Sequence, residues 1–436
     1  MSAPSVARRS LTAIVASGVM AVAHLGAATP DATAWAPPGW GADESVASHA
    51  FEPWDDPETH VAVTASGVAF AAWLQPTGDR GRIYAARRDL AGSWSAPVAL
   101  SPRIAQYRPF DLAVGAHGLA SVVWQRPAAG AQRVQEAHFA GGAWSAPVVV
   151  ARGSSPEVAV DASGTTTLVY RRAGLVVQRR TSTGAWGAAR KLTSRNVYDV
   201  AVASDSPGNV VVAWEQPAAS VLRARVRLAA GGWQPARTLT TLAGRETGIG
   251  SLEARFGPQA RALVVWTTTG DWREAAHAYR NGVGWARSTS TGAWSATQYL
   301  TRAIGEDGGD LRLSTNAAGQ ALAVWTSAGG GSEGWVRLDA ARFRADGTWG
   351  PVVELATKWF TARAWLDDSG TAYLLAHRGR SIWQVTQAEG HGWSTRSEVV
   401  PQGHLLDGGG TGHRLLLLWL AGSPDSYLWA KALDTP

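Results

Sequence analysis

One unit recurs along the whole chain, and this repeat limits the folds that the sequence can adopt. Each copy has a short apolar strand, a turn that ends in glycine, and a second apolar strand that closes on an aromatic residue six positions after that glycine. The pairs are Gly67 with Trp73, Gly118 with Trp124, Gly164 with Tyr170, Gly208 with Trp214, and Gly319 with Trp325, and Trp266 closes an altered copy. A period of roughly 40–60 residues is typical of a β-propeller with four short strands in each blade.

The second half of the unit contains a Gly-x-Trp or closely similar turn before its last strand. The tryptophans of these turns are Trp94, Trp144, Trp186, Trp233, Trp294, Trp349 and Trp393. One large aromatic side chain in each blade supplies apolar area for packing against the next blade. In four units an Asx residue lies three positions before the turn glycine, where its side chain can close the first hairpin: Asp161, Asp205, Asn316 and Asp367. The pattern therefore predicts an all-β chain.

The two ends of the chain together supply one further unit. Three candidate strands follow the unit of Trp393, and no Gly-x-Trp strand comes after them; they are His404–Asp407, His413–Leu420 and Tyr427–Asp434. The segment around Trp40 matches the missing part, so we expect 40–48 to form the outer strand of the C-terminal blade. Such closure removes both open edges of the ring. The sequence thus predicts eight blades, with seven as the alternative because the unit 361–400 has Ala376 in place of the aromatic residue.

The repeat assigns the chain after a short leader to one propeller domain, 35–436. The predicted units are 61–100, 110–150, 157–192, 199–240, 251–300, 311–355, 361–400, and 404–434 together with 40–48.

The leader, 1–34, has the order of a secretory signal peptide. Arg8 and Arg9 precede an apolar run, and small residues follow it. We expect cleavage near Ala34, with Ala27 or Ala28 as alternatives, and hence a secreted, extracellular protein without a membrane anchor. The arginine pair leaves twin-arginine export open beside the general route.

Composition excludes several classes of function. The chain has no cysteine, which excludes thiolate metal ligands and a thiol nucleophile. The formal net charge is +6, but its arginines are scattered singly and form no basic stripe, so we expect no nucleic-acid partner. We also expect a monomer.

Two of the outer turns resemble a known motif. Thr181-Ser182-Thr183-Gly184-Ala185-Trp186 and Asp346-Gly347-Thr348-Trp349 resemble the Asp-box turn of sialidase-like propellers, and the Gly-x-Trp units resemble those of bacterial and fungal lectin propellers. The resemblance implies a fold, because Asp-boxes are structural. The Phe/Tyr-Arg-Ile-Pro segment typical of sialidases is absent, and we assign no catalytic residues.

The loop after the second strand of the fifth unit is enlarged, from Thr267 to Gly284. Long loops on a rigid scaffold often carry function. We predict ligand binding by the aromatic and charged residues of this loop, with a packing insertion as the alternative; they are Trp272, Arg273, Glu274 and Tyr279. Three further tryptophans, Trp285, Trp335 and Trp359, also fall outside the repeat positions, in predicted loops.

Two acidic clusters are the candidates for a metal ion. Glu306, Asp307 and Asp310 lie in one tight loop, and oxygen-rich loops can hold Ca²⁺, although a solvated acidic turn is the simpler interpretation. A second cluster precedes the first unit: Glu52, Asp55, Asp56 and Glu58. No histidine spacing is typical of a zinc site, and no other cofactor is expected.

These features favour a non-catalytic extracellular binding module for a glycan or cell-wall polysaccharide. The alternatives are a sialidase-like glycosidase or polysaccharide lyase, and a scaffold that binds a protein ligand. Hydrolysis would require two carboxyl groups at a defined separation.

Overall fold

The computed structural model describes the repeat-bearing part of the chain. The described residues are 39–51, 57–105, 109–115, 118–128, 130–182, 184–242, 246–270, 281–302, 308–328, 336–357, 360–421 and 426–434. The predicted signal peptide lies outside them. No helix among the described residues has the length and apolarity needed to cross a membrane.

The strands of the described residues form eight antiparallel sheets, which are the blades. Blade 1 contains β2 (Thr59–Val63), β3 (Ala69–Thr77), β4 (Arg80–Arg88), β5 (Val98–Ala99) and β6 (Ile104–Ala105); blade 2 contains β7 (Phe110–Val114), β8 (Ala120–Ala128), β9 (Ala131–Ala140), β10 (Ala143–Trp144) and β11 (Val148–Arg152); blade 3 contains β12 (Ser154–Val160), β13 (Thr166–Arg171), β14 (Leu175–Arg180) and β15 (Arg190–Thr193); blade 4 contains β16 (Val200–Ser204), β17 (Val210–Gln216), a 3-10 turn (Pro217–Ala219), β18 (Val221–Leu228), β19 (Gly232–Trp233) and β20 (Arg237–Thr241).

The second half of the ring has the same plan. Blade 5 contains β21 (Glu246–Gly257), β22 (Arg261–Gly270), β23 (Val283–Arg287) and β24 (Gln298–Thr301); blade 6 contains β25 (Gly308–Thr315), β26 (Ala321–Ala328), β27 (Val336–Phe343) and β28 (Val353–Thr357); blade 7 contains β29 (Phe360–Leu366), β30 (Ala372–Arg378), β31 (Ser381–Gln387) and β32 (Ser397–Val400); blade 8 contains β33 (His404–Thr411), β34 (Arg414–Ala421), β35 (Ser426–Asp434) and β1 (Glu44–Phe51).

Ring closure is confirmed. The N-terminal strand β1 pairs antiparallel with β35 and is the outermost strand of blade 8. The innermost strands contact one another in cyclic order, β2, β7, β12, β16, β21, β25, β29, β33 and again β2. Eight blades are therefore present, and the seven-blade alternative is wrong because the unit with Ala376 forms the complete sheet of blade 7.

The apolar cores lie between the blades. Each of the eight buried clusters in the described residues joins two neighbouring blades. Each cluster contains the outer tryptophan of one of its two blades, namely the blade that comes second in ring order, with blade 1 following blade 8. From blade 1 to blade 8 these tryptophans are Trp94, Trp144, Trp186, Trp233, Trp294, Trp349, Trp393 and Trp40. The inner aromatic residue of that second blade joins the same cluster, except in blade 7, where Ala376 replaces it. The predicted role of the repeated aromatics in blade packing is confirmed.

The hairpin between the first two strands is closed as the Asx residues predict. The carboxylate Oδ1 of Asp161 accepts hydrogen bonds from the backbone N–H groups of Ser163 and Thr165, both at 2.9 Å. Gly164 has a φ of +79°, which glycine adopts without steric cost. In the outer turn of blade 6, Asp346 closes the hairpin in a similar way by accepting from the N–H of Thr348 at 2.8 Å.

Blade 5 differs from its neighbours at the enlarged loop. The predicted loop boundaries were wrong, because β22 continues to Gly270 and β23 begins at Val283. Trp285 is therefore not a loop residue: it lies in β23, buried between blades 5 and 6 against Phe343 and Trp349. The other two tryptophans predicted in loops, Trp335 and Trp359, lie outside the described residues.

Candidate functional site in the central channel

One position of the innermost strands carries an ionisable side chain in nearly every blade. On the second strand of each blade, one residue directly precedes the inner aromatic residue (Ala376 in blade 7). The position in question is the residue of the first strand that pairs with it. Because the register is the same in every blade, these eight residues lie at one level around the channel. We call them the central ring: His60, Asp111, Glu157, Ala201, Glu253, Arg312, Arg363 and Asp407, from blades 1 to 8.

Strand alternation explains why these side chains leave the apolar cores. In β7, Phe110 and Leu112 are buried between blades 1 and 2. Side chains alternate across a strand, so Asp111 between them points the other way, toward blade 3. There its Oδ2 accepts a hydrogen bond from the backbone N–H of Val158 at 2.8 Å.

The same contact occurs where the ring closes. Asp407 of blade 8 accepts through Oδ2 from the backbone N–H of Val61 in blade 1, at 2.8 Å. Its Oδ1 accepts from Nε of Arg363 in blade 7, at 2.6 Å. Asp407 therefore connects three blades, and its orientation is fixed from both sides.

His60 lies in the acidic part of the ring. Its Nε2 is 3.6 Å from Oε1 of Glu58, and its Nδ1 is 3.9 Å from Oδ1 of Asp111. Enclosure by the channel walls lowers the pKa of His60, but the attraction of the nearby acids Glu58, Asp111 and Asp407 outweighs it, and the pKa is raised to about 9. The imidazole is therefore a cation at neutral pH.

Glu157 is the ring carboxyl with the greatest tendency to keep its proton. Burial in the channel raises its pKa well above the usual range, and the charge of Asp111 adds to this, while His60 opposes it. Burial raises the pKa of Asp111 as well, against the attraction of His60. A protonated Glu157 can donate a hydrogen bond, whereas an ionised carboxylate only accepts.

Opposite charges are distributed unevenly around the ring. Blades 6 and 7 contribute Arg312 and Arg363, whereas the acids come from blades 8, 2, 3 and 5. Glu253 has its own cation, since Arg255 of the same strand lies 3.0 Å away. The result is an acidic arc that contains His60 and a shorter basic arc.

A second polar group lies over blade 4, on the side of the propeller where the first strands begin, which we call the upper face. Glu215 is 3% exposed. Burial raises its pKa to about 7, with a further contribution from Asp199, while the N–H of Ile249 and the charge of Arg171 lower it. Arg171 also donates a hydrogen bond to the carbonyl of Tyr198.

The predicted ligand-binding residues cannot be placed in this geometry. Trp272, Arg273, Glu274 and Tyr279 all lie outside the described residues, and their binding role stays a prediction. The strands that flank them are firmly joined: Gly282 N–H donates to Thr268 Oγ1, and Thr268 N–H donates to the carbonyl of Gly282, both at 2.9 Å. β22 ends and β23 begins on the upper face.

The predicted calcium site is also untested. Glu306 and Asp307 lie outside the described residues, and Asp310 lies in β25, where its charge acts on Arg363. Of the second acidic cluster only Glu58 is described, while Glu52, Asp55 and Asp56 are not. Within the described ranges, no three His, Cys, Asp or Glu side chains converge as metal ligands.

The central ring was missed in the sequence, although a signal for it exists. In seven blades the ring residue stands thirteen positions before the inner aromatic residue or its Ala376 replacement, as His60 does before Trp73; Asp407 stands twelve before Trp419. Aligning the units on that residue would have shown a charged or titratable position inside an otherwise apolar strand.

The comparisons with known proteins support the fold. No protein-family model matches the chain, and no curated protein matches it in sequence. Among solved structures, the BP39L lectin from Burkholderia pseudomallei is similar with a TM-score of 0.53 and 14% identity, over 80% of this chain and 100% of the lectin. The polysaccharide lyase Uly1 has a TM-score of 0.47 and 10% identity, over 73% and 88%. An α-L-arabinanase from Penicillium chrysogenum has 0.40 and 10%, over 91% and 99%. Of these three structures, the lectin scores high enough to support the propeller fold.

Proposed function

We propose that this protein binds carbohydrate and that a saccharide is held by the central ring. The observation that carries the proposal is the concentration of oriented, partly exposed ionisable groups in a confined channel. Carboxylates accept hydrogen bonds from sugar hydroxyl groups, and arginine and histidinium donate to them; such charge-assisted bonds are stronger than neutral ones. The side chains of His60, Asp111, Glu253, Arg363 and Asp407 are between 13 and 32% exposed, so they are open to a ligand.

The ring groups are also held in place before any ligand arrives. Asp111 is fixed by the N–H groups of Leu112 and Val158, and Asp407 by Arg363 and Val61. Each carboxylate oxygen has two lone pairs, so acceptor capacity remains. Preorganised groups bind with a smaller loss of conformational entropy. The similar fold of a lectin is in keeping with this function, and the leader suggests that binding takes place outside the cell.

Binding should be measured by titration calorimetry of the purified protein against a panel of neutral and acidic bacterial and plant polysaccharides. We expect at least one saccharide to bind, and Glu157→Ala and Asp111→Asn to weaken its binding about tenfold, because each variant loses a hydrogen-bonding group of the ring. Glu354→Ala is the matched control, because Glu354 is half exposed on the outer strand of blade 6. An unchanged affinity of both ring variants would contradict the proposal, and silence on the whole panel would favour a protein partner.

A second function, cleavage of a glycosidic bond, is favoured by one observation. Glycosidases pair a carboxylic acid of raised pKa with an ionised carboxylate. Glu157 has the raised pKa, and Asp407 in the same ring is paired with Arg363. Release of reducing sugar from the bound polysaccharide would show turnover. If turnover occurs, Glu157→Gln should abolish it; binding without any release would leave a lectin-like module.

A further inference from the structure

The central ring has one gap, at blade 4. Seven of its eight positions carry an ionisable side chain, whereas Ala201 contributes a methyl group that packs in the core between blades 4 and 5. The flanking ring residues are Glu157 and Glu253, and their charges act on each other across this gap. Blade 4 is thus the point where the polar wall of the channel is recessed.

An exposed aromatic side chain precedes this gap in the chain of blade 4. Tyr198 precedes Ala201 by three residues and is 51% exposed on the upper face. Its backbone is fixed, since its N–H donates to the carbonyl of Glu215 at 3.2 Å and its carbonyl accepts from Arg171. The ring of Tyr198 is therefore presented to solvent from a rigid base, whereas the other large aromatic side chains that the structure describes, Tyr427 excepted, are buried or half-buried.

The first hairpin of blade 5 adjoins Glu215, the residue to whose carbonyl the Tyr198 N–H is bonded. In blades 1, 2 and 4 the first strand begins at the residue that pairs with the inner aromatic residue. In blade 5 the residue that pairs with Trp266 is Leu252, but β21 begins six positions before it, at Glu246. At about 3.3 Å per residue, less the two bulges, the hairpin extends roughly 13 Å beyond the level at which the first strand of blade 4 begins. It adjoins blade 4 directly, because Ile249 N–H donates to the carboxylate of Glu215.

We propose that Tyr198, the gap at Ala201 and the hairpin of blade 5 form a subsite for one pyranose ring without a carboxylate. This inference rests on the proposed carbohydrate function. The apolar face of the sugar stacks on Tyr198, and its hydroxyl groups point into the gap toward Glu157 and Glu253. Asp199 and Glu215 add two further carboxyl groups, against the cations Arg171 and Arg255, so the carboxyl groups outnumber the arginines and a uronic or sialic acid is repelled here.

The test is calorimetric titration of the full protein with a neutral polysaccharide of the panel and with polyuronate. We expect Tyr198→Ala to weaken binding of the neutral polymer about 3- to 10-fold, in line with the strength of aromatic contacts, and Tyr198→Phe to bind as the wild type does. Tyr427→Ala is the matched control, because Tyr427 is also exposed, at 36%, but lies on β35 away from the ring. Binding of the neutral polymer in preference to polyuronate is also expected.

The outcomes separate this subsite from the function on which it rests. If Glu157→Ala weakens binding and Tyr198→Ala does not, the subsite is wrong and the central ring stands as the binding site. Equal or tighter binding of polyuronate overturns the assigned sugar class. If the wild type binds no saccharide, the subsite and the proposed function both fail.

Discussion

The blade interfaces and the central ring use the repeat in opposite ways. At the interfaces the repeated position keeps its residue type, so that an inner aromatic and an outer tryptophan recur from blade to blade. In the ring the position is kept and the residue type changes, from histidine to acids, alanine and arginines. Contacts between like blades demand the same side chain each time, whereas a ligand that is not eightfold symmetric needs a different group from each blade. The interfaces therefore stabilise the fold, and the ring is the part of the molecule that we propose binds the ligand.

The largest effect is expected from an inner aromatic residue. Trp266 is fully buried between blades 4 and 5, and Gly284 allows its close approach, since a Cβ at that glycine would lie 2.5 Å from the indole. Trp266→Ala should lower the free energy of unfolding by about 3–5 kcal/mol through lost burial and the cavity left behind. Denaturant unfolding followed by tryptophan fluorescence measures this. Trp266→Phe should cost less; equal losses would show that ring volume does not matter there.

A smaller loss is expected from Glu136, at the interface of blades 2 and 3. Glu136 is 1% exposed and accepts from Arg180 at 2.7 Å, from Trp186 at 2.9 Å and from Ser121 at 2.8 Å. Glu136→Gln leaves the Arg180 cation buried without its counter-charge and should cost about 3 kcal/mol. Thermal unfolding of this variant tests it. The double variant Glu136→Gln with Arg180→Met should recover part of the lost stability. If no stability is recovered, the loss does not come from the unpaired Arg180 cation.

The closing interface repeats this arrangement with a more exposed acid. Glu44 of the N-terminal strand accepts from Arg88 and from Trp94, at 2.6 Å and 2.9 Å. Its side chain is 20% exposed, so water can replace part of what is lost. Glu44→Gln should therefore cost about 1–2 kcal/mol. Proteolysis of the N-terminal strand under native conditions would report local opening. A loss of unfolding free energy equal to that of Glu136→Gln would show that the exposure of the acid does not determine the size of the loss.

The sequence could predict the interfaces but not the ring, for a physical reason. An aromatic residue at a fixed distance from a turn glycine packs at the same place of the interface in every blade, so Trp40 could be assigned to blade 8 from its context alone. The blade with Ala376 was ambiguous because its interface lacks the inner aromatic, yet Trp393 still fills the outer position. The ring residues share a position but no chemistry, and Asp111 or Glu253 alone looks like any polar residue in a strand. Trp285 was assigned to a loop because the strands of blade 5 run past the turn signals.

Stability should depend on pH through His60. Its pKa is about 9 in the fold against an ordinary value of 6.5, so the folded state binds the proton more tightly. This contribution is fully present below pH 6.5 and is lost as pH rises through 9. The melting temperature of the wild type should fall as the pH rises from 6.5 to 9.5, and in His60→Gln this fall should be smaller by about a few degrees. Parallel melting curves of the two proteins over this range would contradict the assignment.

The smallest effect on stability, and the sharpest test of the comparison, is expected from Glu157→Gln in acidic solution. Burial raises the pKa of Glu157, so the fold favours the protonated carboxyl, which glutamine resembles. At pH 4, where the glutamate of the unfolded chain is mostly protonated as well, the melting temperature should change by no more than about 2 °C. A raised carboxyl pKa gives stability that is present below the ordinary glutamate value and is lost as pH rises through the folded value, so the variant should become the more stable protein as the pH increases. Melting curves at pH 4, 6 and 7.5 measure both parts. A large loss at pH 4 would mean that this ring residue holds the blades together, and the division between a structural interface and a functional ring would fail at blade 3.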